Sequence, residues 1–215
     1  MNETGKSIFL FVSALFPVVN PLGGGPFFLA LTSDYTHRQR RALSRRVAAN
    51  SFFLLIGSYF IGSHILGFFG ISIPVVQVAG GLIVISNGWS MLQRREQEER
   101  REVQRGVDAH DILTRAFYPL TLPLTVGPGS ISVAITLGAN APREHGIDPA
   151  AIVSAIVASA IIALSIFLWY GFADRLARAL GATAMSVIMR LSSFLLVCIG
   201  VQILWNGVHA LVQSL

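Results

Sequence analysis

Two segments of this chain share one pattern. Phe16-Pro17-Val18-Val19-Asn20-Pro21-Leu22-Gly23-Gly24-Gly25-Pro26 and Tyr118-Pro119-Leu120-Thr121-Leu122-Pro123-Leu124-Thr125-Val126-Gly127-Pro128 both read aromatic-P-x3-P-L-x2-G-P. Pro17, Pro21, Leu22, Gly25 and Pro26 each have an identical partner 102 residues later. Proline carries no N–H and clashes with the preceding turn, and glycine does little to hold helical φ/ψ. An isolated Gly-Pro would only kink a helix for packing. A duplicated cluster at matching places predicts two breaks. Pro26 and Pro128 suit the first turn of a new half-helix, where a missing N–H costs nothing. The amides of Phe27, Phe28, Gly129 and Ser130 would then lie free at a positive dipole end. The preceding half-helices should end near Val19 and Leu122 and leave carbonyls unpaired. Anion-seeking amides beside cation-seeking carbonyls suit a small zwitterionic solute such as an amino acid. The candidate site is therefore Asn20, Pro21, Gly23, Gly24, Gly25 and Pro26 with Thr121, Pro123, Thr125, Gly127, Pro128, Gly129 and Ser130. Asn20, Thr121, Thr125 and Ser130 would add side-chain hydrogen bonds.

The elements that must position these residues are membrane spans. The chain is 53% hydrophobic and 13% charged, against about 25% charged for soluble domains. Ser7–Leu31, Val47–Phe69 and Ala150–Ala173 contain no Asp, Glu, Lys or Arg. Each is long enough to cross roughly 30 Å of hydrocarbon, and none has the polar stripe of a soluble helix. The pattern predicts six spans: Ser7–Thr32, Val47–Phe69, Val75–Leu92, Ile112–Leu137, Ala150–Ala173 and Leu191–Val212. The links Ser33–Arg46, Gln93–Asp111 and Asp174–Arg190, with Arg115, hold 14 of the 16 basic residues. Lys6 and Arg143 are the two on the opposite side. That bias predicts both termini outside and the Arg-rich links in the cytoplasm. It also accounts for the net charge of +5 without nucleic acid as a partner.

Each half holds three spans, an odd number, so the duplicated halves should face opposite ways across the bilayer. The expected fold is an all-α membrane protein of six transmembrane helices, arranged as two inverted-topology repeats with discontinuous first and fourth helices. Repeat one covers 7–92, a charged cytoplasmic linker 93–111, and repeat two 112–212, all within one transmembrane domain. Unwound backbone in lipid is costly unless protein or water satisfies it, so both breaks should face a polar cavity.

Other residues carry less chemistry. No Asp or Glu lies within a span, so the usual carboxylate relay is absent. His64 and His209, toward the outer ends of their spans, are the candidates for proton coupling, with a hydrogen-bonded interfacial role as the plainer reading. Ala151, Ala155, Ser159 and Ala163 recur every fourth residue, which is helix-packing chemistry within the chain or in a homo-oligomer. Asn87-Gly88 and Asn206-Gly207 read as polar punctuation. Cys198 lies alone in an apolar span, and no metal or cofactor is expected. A hydrolase built on Ser130 would need a base within reach, and both histidines belong nearer the outer face. The chain reads as no enzyme. An alternating-access carrier for a small solute is the leading expectation, and a channel for small uncharged solutes the alternative.

Phe16–Thr32 (FPVVNPLGGGPFFLALT), Phe69–Ile85 (FGISIPVVQVAGGLIVI), Leu122–Ile135 (LPLTVGPGSISVAI) and Arg190–Val201 (RLSSFLLVCIGV) resemble the MarC family of bacterial inner-membrane proteins, over nearly the whole chain. The resemblance implies that Asn20–Pro26 and Pro123–Ser130 form the substrate site. It also implies export of small neutral amino acids such as glycine, alanine, serine or threonine. This chain has Gly24 where the family often has Asn, and Gln77 where it often has Arg.

Overall fold

A computed structural model describes residues 3–33, 35–93, 116–141 and 149–214. The expected linker at 93–111 lies outside the described residues beyond Gln93, as do residues 112–115 and Arg143. In chain order the elements are α1 (Glu3–Val19), α2 (Pro21–Leu31), α3 (His37–Phe68), α4 (Ile73–Gln93), an irregular wide-turn segment α5 (Ala116–Thr125), α6 (Pro128–Ala139), α7 (Pro149–Gly171) and α8 (Ala173–Gln213). Every regular element among the described residues is helical.

Apolar length makes these helices spans. The stretch Thr4–Leu31 (α1 with α2), α3, α4, α7 and Thr183–Gln213 within α8 are each long and apolar enough to cross a bilayer. α5 and α6, bent by 70° at the residues between them, make a sixth span when taken as one. The fold is an all-helical membrane protein with a broken pair, the spans as the hydropathy pattern predicts and the break as the Gly/Pro motif predicts. Phe53, Leu164 and Phe194 are more than half exposed, on surfaces a bilayer would cover.

Two boundaries differ from expectation because the links at 33–46 and 174–190 are themselves largely helical. α3 starts at His37, not Val47, since Thr36 and Gln39 form a capping box. The Thr36 N–H donates to Gln39 Oε1 (2.9 Å) and the Gln39 N–H to Thr36 Oγ1 (3.3 Å). Arginine is a good helix former, so the helix runs from water into the membrane without a stop. The link expected at Asp174–Arg190 is likewise the first part of α8, broken at Gly181 (φ 75°, ψ 168°). Only glycine takes that backbone readily.

Packing follows small residues. α4 and α8 lie closest, and a Cβ on Gly81 would come within 2.8 Å of the Gly200 carbonyl. A Cβ on Gly88 would likewise meet the Ser193 carbonyl at 3.0 Å. Such glycines let backbones approach where lipid supplies no hydrophobic drive. α3 packs on α7, and with α1 they enclose the fully buried Leu15, Val47, Leu55, Ile162 and Ile166.

One buried arginine ties the Arg-rich end together. Arg40 donates from Nε to Thr32 Oγ1 (3.0 Å) and from Nη2 to the carbonyls of Thr32 (2.7 Å) and Tyr35 (3.1 Å). Its Nη1 pairs with Asp174, which also contacts His37 Nδ1 at 2.7 Å. Arg40 thus caps the end of α2 and binds the α2–α3 turn to the start of α8. Arg40→Leu should cost about 3 kcal/mol by orphaning a carboxylate and two carbonyls together. Asp174→Asn, at a partly exposed site, should cost only about 1 kcal/mol. Thermal unfolding in detergent gives the ranking, and equal losses would show that carbonyl capping is not the dominant contribution.

Candidate functional site

The first break is a single residue. Asn20 sits in the left-handed region (φ 48°, ψ 58°), which asparagine tolerates better than most residues. Its N–H donates to the Phe16 carbonyl (2.9 Å), closing α1, and its carbonyl accepts from the Gly24 N–H (2.9 Å), opening α2. Its Oδ1 also accepts from the Gly23 N–H at 3.0 Å. Asn20 therefore ends one helix and caps the next. Pro21, with no N–H, takes the first helical position and leaves the Pro17 carbonyl without its helical partner. Asn20 Nδ2 is buried and has no hydrogen-bond partner.

This corrects one detail of the sequence reading. α2 begins at Pro21, so Pro26 lies inside it and does not start it. The first-turn amides are those of Leu22, Gly23 and Gly24, not Phe27 and Phe28.

The second break follows the expected course, with more unwinding. Tyr118 and Leu122 are extended, and the Tyr118-Pro119 and Leu122-Pro123 bonds are cis. Wide turns close around them: Thr121 Oγ1 donates to the Ala116 carbonyl (2.6 Å), Thr125 Oγ1 to the Leu120 carbonyl (2.6 Å), and the Val126 N–H to the Thr121 carbonyl (2.8 Å). Gly127 is the extended N-cap of α6 and Pro128 its first residue. Ser130 Oγ donates to the Gly127 carbonyl at 3.0 Å. Gly129 and Ser130 stand in the first turn of α6, at its positive end. The two breaks differ because Leu122 stands where the first repeat has Asn20. A leucine can neither adopt αL cheaply nor cap, so the chain leaves the helix through extended backbone.

Both breaks line one cavity of about 260 Å³. Asn20 and Gly24 reach it from the first, and Pro123, Thr125, Gly127, Gly129 and Ser130 from the second. Among the described residues, no Asp, Glu, Lys, Arg or His lines it. Of the other candidates, Pro21, Gly23, Gly25, Pro26, Thr121 and Pro128 shape the breaks without lining the cavity. His64 and His209 are both exposed and apart from it, with the His209 ring 6.4 Å from Trp205.

Three polar side chains escaped the sequence reading as site residues. Asn87 and Ser90 of α4 line the cavity, although the sequence pattern presents Asn87 only as polar punctuation. Tyr170, fully buried at the end of α7, joins the breaks. Its hydroxyl lies 3.1 Å from Thr125 Oγ1. The Thr125 hydrogen already goes to Leu120, so Tyr170 donates. Its ring stacks on Phe28 of α2, centroids 4.7 Å apart. A Cβ on Gly24 would collide with the Tyr170 hydroxyl. The one tyrosine on a span whose other hydroxyls are small serines was the available signal.

Comparison with known proteins adds the lineage. The sequence profile described as "MarC family integral membrane protein" matches residues 5–212. The chain belongs to the MarC family. Similar proteins include the UPF0056 inner membrane protein MarC of Citrobacter koseri, 31% identical, with 100% of this chain and 99% of that protein covered. The protein of the same name from Salmonella typhimurium is 32% identical over the same shares of both chains. The UPF0056 membrane protein YvbG of Bacillus subtilis is 32% identical, covering 95% of this chain and 94% of that protein. No solved structure matches. The MarC profile spans both breaks of this chain.

In this chain Gly24→Ala should destabilise by about 1–3 kcal/mol through overpacking against Tyr170. Tyr170→Phe in the same chain should recover part of that loss, giving a coupling of roughly 0.5 kcal/mol or more in thermal unfolding. Strict additivity would show that the two residues do not meet.

Proposed function

We propose that this MarC-family protein is a secondary transporter that exports small neutral amino acids, of the glycine, alanine, serine and threonine type, by alternating access. The supporting observation is that the Gly/Pro breaks of both halves line one small cavity free of charged side chains among the described residues. At about 260 Å³ it lies below the roughly 300–1,000 Å³ of drug-sized sites, which favours a solute of few atoms. The first-turn amides of Gly129 and Ser130 suit its carboxylate. The unpartnered Asn20 Nδ2 supplies a further donor nearby. Thr125, Asn87 and the carbonyls of the broken segments offer acceptors for its ammonium group. A neutral site matches a zwitterion, which brings no net charge into the membrane interior.

The duplicated motif and the odd number of spans per half support inverted repeats, a plan in which one half rocks against the other around a central site. The pairing of the third span with the sixth, and of the second with the fifth, is consistent with that plan. The relatives named as inner membrane proteins support placement in the bacterial inner membrane, and the arginine bias supports both termini on its outer side.

Proteoliposomes loaded with labelled glycine or alanine test the reading. Asn20→Ala should cut flux about tenfold, the scale of one or two lost hydrogen bonds. Gly127→Leu should abolish it by filling the cavity, while Gly57→Ala, with open space at its Cβ, should transport like the parent. Unlabelled substrate on the far side should accelerate exchange in a carrier. Flux without such acceleration would establish a channel.

A further inference from the structure

A second cavity of about 810 Å³ opens at the Arg-rich end of the bundle. Arg38, Arg41 and Arg45 enter it from α3 and Arg175 and Arg178 from α8, with Phe167 and Phe172 as an apolar flank. The spacings i, i+3 and i+7 along α3 put its three arginines on one helix face. All five are exposed. The acidic residue in the lining, Asp174, is engaged by Arg40 and His37. Among the described residues no carboxylate pairs with any of the five arginines.

The arginines are also arranged for use. The Arg41 guanidinium lies 5.9 Å from the Phe167 ring centroid and that of Arg175 5.6 Å from Phe172. A guanidinium held over an aromatic face keeps its N–H edge free for a bidentate acceptor such as phosphate. The first turns of α3 and α8 both border the cavity, adding two positive helix ends. Solvated positive-inside arginines need neither the ring contacts nor the shared hollow.

We propose that this groove binds the phosphate head group of an anionic phospholipid, whose acyl chains run down the Phe167 side of α7. The position argues for a lipid over a soluble anion. The hollow lies where the apolar part of α7 ends at Gly171, at the boundary between hydrocarbon and water. Basic pockets between spans on the positive side of a membrane meet anionic head groups at that depth.

The test uses the full chain in detergent, with lipid retention read by native mass spectrometry. Phosphatidylglycerol should be retained about tenfold more than phosphatidylcholine by the parent protein, on the scale expected for several basic residues at a membrane surface. Arg41→Gln with Arg175→Gln should lose most of that preference, while Arg190→Gln, outside the groove, should keep it. Millimolar inorganic phosphate or glycerol 3-phosphate should leave the retained lipid in place. Equal retention of the two lipids by the parent, which requires no variant to fold, would overturn the proposal. Displacement by inorganic phosphate would overturn it in favour of a free-anion site.

Discussion

Backbone polar groups inside a bilayer have no water to turn to, and the caps and wide turns of this site answer that constraint. The chain interrupts two spans and must satisfy each interruption from within. At the first it spends one residue. Asn20 is able to close α1, open α2 and cap the Gly23 amide because asparagine tolerates αL and carries a short acceptor. At the second, the Thr121 and Thr125 hydroxyls and the Val126 amide close wide turns around extended Tyr118 and Leu122. One motif therefore has two geometries, and the residue at the Asn20/Leu122 position separates them.

The breaks matter because other elements hold them together. Tyr170 reaches from α7 to donate to Thr125 while stacking on Phe28, and the missing side chain of Gly24 leaves room for its hydroxyl. On the other side α4 brings Asn87 and Ser90 to the cavity, and it lies close to α8 through facing glycines. Small residues act here as distance setters. They let helices approach until polar groups from four segments border one hollow.

Among the described residues no charged side chain lines that hollow, and Arg38, Arg40, Arg41, Arg45, Arg175 and Arg178 gather at one end of the bundle. Arg40 spends its guanidinium on the end of α2 and on Asp174, so one buried cation joins the broken first span to the start of α8. The neighbouring arginines stay exposed around a separate cavity. A neutral centre and a basic rim are thus two consequences of one segregation. Hydrocarbon rejects unpaired charge, while the membrane surface tolerates it.

Sequence alone determined the membrane class, the six apolar spans, the duplicated motif and the position of both interruptions. Those properties rest on local rules of hydrophobic length and of proline and glycine backbone chemistry, and they need no knowledge of neighbours. It also located seven residues that line the cavity, from Asn20 to Ser130. Tertiary structure alone decided that α2 starts at Pro21 and not Pro26, since the cap at Asn20 outcompetes the later proline. It alone brought in Tyr170, Asn87 and Ser90 as parts of the site. Each is one of several polar residues on its helix, and only the packing of distant helices shows which of them meets the site.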